Sequence, residues 1–132
     1  MKQTVRSYRD LLAWQEGMNL AEQCYHLTRD YPKAELYGMT SQIRRASASI
    51  PANIAEGNGR EMTQDYIRFL RIAQGSLKEL ETHLLLSARV GLTNQQTIQP
   101  LLMKCQQVGK LIRGLIRSLQ EKKRREKLQL RE

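Results

Sequence analysis

The sequence has few of the features that mark membrane spans, metal sites or disulfides. It contains no apolar run near the roughly 20 residues of a membrane-spanning helix, and its start, MKQTVRSYRD, has no hydrophobic signal-peptide segment. Its two cysteines, Cys24 and Cys105, lie at apolar helical positions without CxxC or CxxH spacing. We therefore expect a cytoplasmic protein with no disulfide, no bound metal and no cofactor.

Motifs of catalytic sites are also missing. No GxSxG, Walker loop, Rossmann glycine run or HExxH motif occurs. The strongest enzyme-like feature is a pair of Glu-x-x-x-His spacings, Glu22 with His26 and Glu79 with His83, in which both residues share a helical face. Ferritin-like di-iron sites use Glu-x-x-His with further inward carboxylates, which this chain lacks. We predict structural or solvent-facing histidines and a protein that is not an enzyme.

The composition is typical of one globular helical domain. The chain has 132 residues, of which 40% are hydrophobic and 27% are charged, and it has only three prolines. We expect a helix bundle over residues 1–121 and a basic extension of its last helix over residues 122–132.

Capping residues, prolines and glycines divide the chain into four predicted helices. Ser7 and Asp10 have the spacing of a capping box, as do Thr93 and Gln96, and Thr63 is a candidate N-cap. The breaks contain proline or glycine, and residues 57–59, Gly-Asn-Gly, tolerate positive φ. In chain order, the predicted helices cover residues 7–29, 32–56, 63–90 and 93 onward.

Each predicted helix has an apolar stripe in steps of three and four, and short connections make consecutive helices antiparallel neighbours. We therefore predict an all-α, up-down-up-down four-helix bundle. The fourth helix also has Leu102, Leu111 and Ile116 beside its stripe, a band broader than a bundle needs. The four stripes are Leu11, Trp14, Met18, Ala21, Tyr25 and Thr28; Leu36, Met39, Ile43, Ala46, Ile50 and Ile54; Tyr66, Leu70, Ala73, Leu77, Leu80 and Leu84; and Leu101, Cys105, Val108, Ile112, Leu115 and Leu119.

Proline and glycine inside the helices predict local distortions and close contacts. Pro51 lacks an amide hydrogen, so it removes the hydrogen bond to the carbonyl of Ser47 and predicts a kink. Ser47 and Ser49 are candidates to satisfy the freed groups. Interior glycines predict close approach of another backbone and, with the broad apolar band, self-association. These glycines are Gly75, Gly109 and Gly114.

The positive charge is concentrated in the last helix. The net charge is +9, and ten basic against three acidic residues from Lys104 to the end account for +7 of it. Clustered cations of this kind bind phosphates and release counterions, so we predict a nucleic-acid-binding ridge. A solvated helix face is the alternative, and membrane-surface binding ranks third. The ridge residues are Lys110, Arg113, Arg117, Lys122, Lys123, Arg124 and Arg125.

A second basic group lies in the second and third predicted helices. It has either a structural or interface role, with Arg44 and Arg45 bound to Glu56 or a neighbouring subunit, or a role in RNA contact. Asn53 and Glu56, near Pro51, are expected to satisfy backbone groups rather than to perform acid-base chemistry. The group consists of Arg44, Arg45, Arg60, Arg68 and Arg71.

Three segments resemble a known family. These are YRDLLAWQEGMNLAEQCYHLT (8–28), YPKAELYGMTSQIRRASASIPANIAEGNGR (31–60) and YIRFLRIAQGSLKELETHL (66–84). They are similar to the bacterial four-helix-bundle proteins first noticed as products of intervening sequences in large-subunit ribosomal RNA genes. The resemblance implies a homopentamer without a catalytic site. One branch is the accessory variability protein of diversity-generating retroelements, a basic pentamer that partners a reverse transcriptase and nucleic acid.

Two departures from the family pattern favour the retroelement branch: residues 91–93, Gly-Leu-Thr, where an aromatic residue is common, and the heavy basic tail. Our hypothesis is a non-enzymatic homo-oligomeric scaffold that binds RNA or DNA and serves as an accessory protein to a reverse transcriptase. The alternative is a protein-protein assembly module encoded in a ribosomal RNA intervening sequence, with no direct nucleic-acid role.

Overall fold

The computed structural model describes residues 6–131. Residues 1–5 lie outside that range, and the prediction that the first ten residues contain no signal-peptide segment falls partly on them. Glu132, the last residue of the predicted extension, also lies outside it. Two short 3-10 turns, Tyr8–Asp10 and Lys33–Glu35, precede the first two helices, and no strand occurs in the described range. The four α-helices are α1 (Leu12–Thr28), α2 (Met39–Asn58), α3 (Thr63–Arg89) and α4 (Gln95–Leu130).

The helices form a ring in which each packs against the next and α4 packs against α1. Two contacts show that α1 and α2 are antiparallel, since Gly17 lies beside Pro51 while Arg44 reaches Thr28. Across the other side of the ring, Lys104 of α4 binds Glu16 of α1 at 2.6 Å. The predicted all-α, four-helix bundle is therefore confirmed.

The core lies along the axis of the ring. Ile43, Ile50 and Ile54 of α2 are fully buried, as the predicted stripe requires, and so are Leu80 and Leu84 of α3. Burying each such side chain contributes about 1.5–3 kcal/mol. The predicted stripes of α2 and α3 therefore identify most of the core that these helices supply.

The first predicted helix differs from the structure in its start and in its buried face. The Ser7–Asp10 capping box is present, but it caps a 3-10 turn, and extended backbone at Leu11 delays α1 until Leu12. Of the predicted stripe, Met18 and Tyr25 are exposed. Small side chains displace them because they let α2 pack closely. The buried face of α1 consists of Ala13, Gly17, Leu20, Ala21, Cys24 and Thr28.

The second predicted helix does not begin at Pro32. Pro32 instead precedes a 3-10 turn, and α2 starts seven positions later, at Met39. The Glu35 carboxylate accepts a hydrogen bond from the Met39 amide at 3.0 Å and so satisfies one of the unpaired donors of the first turn. Leu36, predicted to be on the inward stripe, lies in the connection and is exposed.

Pro51 is buried in an α2 that remains helical on both sides of it. The predicted compensation by serine is wrong. The Ser47 hydroxyl donates to the Arg44 carbonyl at 3.1 Å, and the Ser49 hydroxyl donates to Ser76 of α3. Asn53 behaves as predicted, because its side-chain amide donates to the backbone carbonyl of Ser49 at 2.7 Å.

The glycines act differently from the prediction. Residues 57–59 end α2 without positive φ, since Asn58 is still helical and Gly59 has φ −80°. Among the described residues, only Gly91 has positive φ, at 84°. Nothing lies within 4 Å of a side chain added at Gly75 or Gly114, and Gly109 faces side chains only. The predicted close approach of another backbone is therefore wrong within the protomer.

The last two helices begin one residue away from their predicted caps. Met62 occupies the N-cap position of α3, and Thr63 is its first helical residue. Asn94, rather than Thr93, caps α4 by accepting a hydrogen bond from the Thr97 amide at 2.8 Å. The basic extension continues α4 as helix to Leu130, and all of its described residues are exposed.

Candidate nucleic-acid interface

A continuous groove, the α3/α4 groove, runs between the last two helices. It consists of four adjoining cavities of about 440, 360, 650 and 290 Å³. The first two cavities share Gln74 and Arg113, the next pair share Arg71 and Gln120, and the last pair share Gln120 and Lys123. Shared lining residues mean that a single extended ligand can pass from one cavity to the next.

Basic side chains line the groove along its whole length. Only two acidic residues line it: Glu81 in the cavity of about 440 Å³ and Asp65 in the cavity of about 650 Å³. The other two cavities have no acidic lining residue. Glutamines 64, 74, 106 and 120 supply neutral hydrogen-bonding groups between the cations. The cations are Arg68, Arg71 and Lys78 from α3 and Lys110, Arg113, Arg117, Lys123, Arg124 and Lys127 from α4.

Three of these cations are in ion pairs. Lys78 lies 3.3 Å from Glu81, Arg68 lies 4.0 Å from Asp65, and Arg124 lies 2.8 Å from Glu121. The cation of each pair is solvent-exposed, and each pair contributes at most about 1 kcal/mol. The other six have no acidic partner among residues 6–131: Arg71, Lys110, Arg113, Arg117, Lys123 and Lys127.

Helix geometry explains how these cations come together. In α4, Lys110, Arg113, Arg117 and Arg124 are separated by three, four and seven residues, which places them on one side of the helix. In α3, Arg71 and Lys78 are separated by seven residues and lie on the facing side of the groove. Antiparallel packing then puts the start of α3 beside the end of α4, where the Lys123 ammonium donates to Gln64 at 3.4 Å.

Gly109 forms part of the floor of the groove. A Cβ built there would lie 3.5 Å from the Arg113 guanidinium and 3.8 Å from a methyl group of Leu77. The missing side chain therefore leaves room for the guanidinium to lie close to the α4 backbone. The sequence predicted that another backbone packs against Gly109. In the structure this glycine instead helps to form a cavity.

The structure brings together five of the seven predicted ridge residues: Lys110, Arg113, Arg117, Lys123 and Arg124 line the groove. Lys122 and Arg125 are exposed but line none of its cavities. A helix turns by about 100° per residue, so these two side chains project from another side of α4.

Two cations of the groove, Lys78 and Lys127, are missing from the predicted set. The clue to Lys78 was its spacing in α3, where Arg71, Gln74 and Lys78 follow one another in steps of three and four. Such a sparse polar stripe does not raise the local charge density of the sequence, which was the property that identified the α4 cations. Lys127 lies in the dense run, three residues after Arg124, so its position on the groove side was readable from spacing alone.

The second basic group divides between structural contacts and the groove. The Arg44 guanidinium donates to the Thr28 hydroxyl at 2.9 Å and stacks over the Tyr25 ring at 4.8 Å, which ties α2 to α1. Arg45 lies 3.6 Å from Glu79 of α3. Neither is bound to Glu56, so that predicted pairing is wrong.

Glu56 instead pairs with Arg60 at 2.6 Å. Arg60 and Arg68 both stack on the ring of Phe69, at 4.8 and 4.6 Å from its centroid. These contacts hold the α2–α3 corner together. Arg68 also borders the groove, and Arg71 lies in it without such structural contacts.

The residues considered as catalytic candidates are exposed, paired with neighbouring side chains or buried. Glu22 and His26 are exposed, while Glu79 lies 3.6 Å from both His83 and Arg45. Burial raises the pKa of Cys24 to about 12 and that of Cys105 to about 12. No cluster of three or more metal-ligating side chains occurs in the part of the chain that the structure describes.

An apolar cleft lies on the opposite side of α4, where it meets α1. Its volume is about 270 Å³, and Leu12, which contributes to it, is 54% exposed. No helix within residues 6–131 is long and apolar enough to cross a membrane. The cleft is lined by Leu11, Leu12, Ala13, Leu111, Gly114, Leu115 and Ser118.

Residues 9–114 match a family model described as 23S rRNA-intervening sequence protein. A crystal structure of a protein of unknown function from the S23 ribosomal protein family of Bacteroides thetaiotaomicron has a similar fold, with a TM-score of 0.71 and 23% sequence identity. The match covers 80% of this chain and 98% of that one, and at this identity it bears on the fold alone. No match was found among curated proteins.

The family match covers only part of the α3/α4 groove. Lys110 and Arg113 lie within the matched residues, whereas the cations nearer the end of α4 lie beyond residue 114. The charged end of the groove is therefore a feature of this chain outside the matched part.

Proposed function

The chain belongs to the 23S rRNA-intervening sequence protein family, and we propose that it is a non-enzymatic scaffold that binds nucleic acid through phosphate groups in the α3/α4 groove. The main support is the row of six cations that have no acidic partner among the described residues and that line one continuous groove. The ligand is RNA or DNA, because phosphodiester groups are common to both.

The chemistry of the groove suits phosphates. Arginine presents a planar fork that binds two phosphate oxygens at once, and Arg71, Arg113 and Arg117 converge on the same cavity. Each phosphate neutralised by such a cation releases counterions, which favours binding at low salt. The exposed α4 extension lengthens the basic surface beyond the start of α3.

We also propose that the scaffold is a homo-oligomer that uses its α1/α4 apolar cleft. Leu12 is half exposed there and lies beside Leu111 and Leu115, which a second copy could cover. The pentameric state rests on the family resemblance. A closed ring would repeat the groove once per subunit and raise the overall affinity for a long nucleic acid.

Our finer proposal is that the scaffold acts as an accessory protein to a reverse transcriptase of a diversity-generating retroelement. It is supported by residues 91–93, Gly-Leu-Thr, which stand where the family pattern has an aromatic residue, and by the basic end of α4. Co-purification with a reverse transcriptase encoded beside this gene, dependent on Arg113 and Arg117, would support the proposal. A gene located inside a ribosomal RNA operon without such a neighbour would contradict it.

The main test compares two double variants of equal charge change. Arg113→Gln/Arg117→Gln removes two cations from the groove, whereas Arg29→Gln/Lys33→Gln removes two exposed cations from the opposite end of the bundle. Affinity for a structured RNA is measured by fluorescence anisotropy at low and moderate salt. We expect the groove variant to lose about tenfold in affinity and the control to change by less than about threefold.

Equal losses in the two variants would mean that net charge, and not the groove, controls binding. Failure of the unmodified protein to bind any RNA or DNA would leave the alternative function, a protein-protein assembly module whose basic groove meets an acidic protein. Circular dichroism of both variants checks that the helices are intact.

A further inference from the structure

We infer that the α3/α4 groove binds the backbone of a base-paired helix in preference to an unpaired strand, and that it makes no contact with base edges that depends on sequence. The inference rests on the proposed function and specifies its ligand. Three features of the groove support it: its lack of aromatic side chains, its rigid walls and the spacing of its cations.

None of the seven aromatic side chains of the chain lines the groove. Phe69, the nearest in sequence to the groove arginines, is stacked against Arg60 and Arg68. Trp14 packs edge-on against Tyr8, and the 93% exposed Tyr37 stands just before α2, at the other end of the bundle from Lys123. Proteins that hold unpaired strands generally stack bases on such rings, which contributes about 1–3 kcal/mol per base. An unpaired strand lacks that stabilisation here.

The walls of the groove are two long helices rather than loops. α3 has 27 residues and α4 has 36, and both are continuous along the groove. A row of cations carried on two continuous helices matches a ligand whose phosphates are already fixed in space. A flexible strand has to be ordered on binding, which costs conformational entropy that phosphate contacts alone must offset.

Charge density also favours the duplex. A double helix carries about one negative charge per 1.7 Å of axis, and each neutralised phosphate contributes a salt slope of about 0.9, against about 0.7 for a single strand. Counterion release therefore contributes more to the binding affinity when the same six cations bind a paired ligand. The glutamines between them can bond phosphate or sugar oxygens, which are present at every nucleotide.

The length of the cationic row sets the size of the ligand. From Lys110 to Lys127 the helical rise amounts to about 26 Å. At about 3.4 Å per base pair, this corresponds to about eight base pairs. Affinity should therefore rise with duplex length up to about this value per groove and then increase only through additional subunits.

The test uses four fluorescent ligands of equal length, each about twice this size: a duplex RNA, a duplex DNA, a duplex RNA of scrambled sequence and an unpaired RNA strand without self-complementarity. Anisotropy titrations at one salt concentration give the affinities of the unmodified protein and of Arg113→Gln/Arg117→Gln. We expect the duplexes to bind about tenfold more tightly than the unpaired strand. The scrambled duplex should agree with the original within about twofold.

Each outcome bears on a different claim. An unpaired strand that binds as tightly as the duplexes overturns this inference and leaves the proposed function intact. A strong difference between the two duplex sequences overturns the absence of sequence-dependent base contacts. Binding of both duplex types supports the shared phosphodiester chemistry, and binding of duplex RNA alone supports a paired ligand with added contacts to its 2′-hydroxyls. No binding to any ligand overturns the proposed function itself.

Discussion

Individual glycines of this bundle have opposite effects on its stability. Gly57 is buried where α2 meets α3, and a Cβ there would lie 2.9 Å from both the Phe69 Cβ and a ring carbon of Tyr66. Gly75 lies in the exposed part of α3 with no atom within 4 Å of an added Cβ. The first glycine is thus required by packing, whereas the second only weakens a helix.

Alanine substitution should separate these two roles. We expect Gly57→Ala to lower the free energy of unfolding by about 1–3 kcal/mol through overpacking. Gly75→Ala should raise it by up to about 1 kcal/mol because alanine favours the helix. Urea unfolding followed by circular dichroism measures both changes. A Gly57→Ala variant that is as stable as the unmodified protein would contradict the described packing of the α2–α3 corner.

The two cysteines provide a second test of the core. Their folded pKa values, about 12, lie above the 9.0 of an ordinary thiol because burial disfavours the thiolate. Since the folded pKa is the higher one, their contribution to stability is complete below about pH 9 and decreases as pH rises towards 12. We expect slow labelling of Cys24 and Cys105 by a thiol reagent at about pH 8, at a rate set by unfolding. Rapid labelling of the native protein would contradict their burial.

Among the helices, α4 combines a part that packs in the bundle with a basic extension. A matched pair of variants tests which side of the extension binds. Lys123→Gln/Lys127→Gln removes two groove cations, and Lys122→Gln/Arg125→Gln removes two exposed cations from another side of the same segment. Both lower the net charge by the same amount, so a difference in affinity reports on position alone.

For this pair we expect about a tenfold loss of duplex RNA affinity in the Lys123/Lys127 variant and about threefold or less in the other. Filter binding at fixed salt gives both values, and circular dichroism confirms that α4 keeps its helicity. If the Lys122/Arg125 variant loses as much or more, the extension binds through its other side and the groove assignment fails there.

Sequence patterns predicted the helices better than their faces. Steps of three and four located the buried isoleucines of α2 and leucines of α3, because a long amphipathic helix has one dominant apolar side. In α1 the same reasoning placed Met18 and Tyr25 inside, although small residues such as Ala13 and Gly17 make the contact. The buried face of α1 is set by its close packing against Pro51 of α2. The periodicity of α1 alone contains no information about the helix that packs against it.

The α4 side of the candidate site was predicted more fully than the α3 side, for which the sequence indicated only Arg68 and Arg71 and left their role open. Charge density identified most of the α4 cations, since they lie in one basic segment of the sequence. The contribution of α3 depends on tertiary packing, which brings Arg71 and Lys78 across the groove from residues some 40 positions away. Ion pairing also depends on the fold, so the sequence could not show that Arg68 is paired with Asp65 while Arg71 has no acidic partner in the described range.

For the whole molecule, the groove and the apolar cleft lie on different sides of α4, so the proposed self-association and the proposed nucleic-acid binding do not compete for one surface. The cleft variant Leu12→Glu places a charge in the proposed contact between subunits. Leu36→Glu is its control, because Leu36 is 47% exposed and lies in the connection before α2, at the far end of the bundle.

We expect Leu12→Glu to reduce the molar mass measured by light scattering to that of the protomer, and Leu36→Glu to leave the oligomer unchanged. The reason is that an unpaired carboxylate buried between subunits costs several kcal/mol, about enough to separate a moderate interface. An oligomer that persists in the Leu12 variant would show that subunits associate through another surface.

The measurement that tests the central claim most directly is the salt dependence of duplex RNA affinity for the unmodified protein and for the triple variant Arg71→Gln/Arg113→Gln/Arg117→Gln. If the six cations of one groove each neutralise a phosphate, the logarithm of the affinity should fall with the logarithm of salt concentration with a slope of about −5. The triple variant should have a slope smaller by about three. An unchanged slope, with normal helicity, would contradict phosphate binding in the α3/α4 groove.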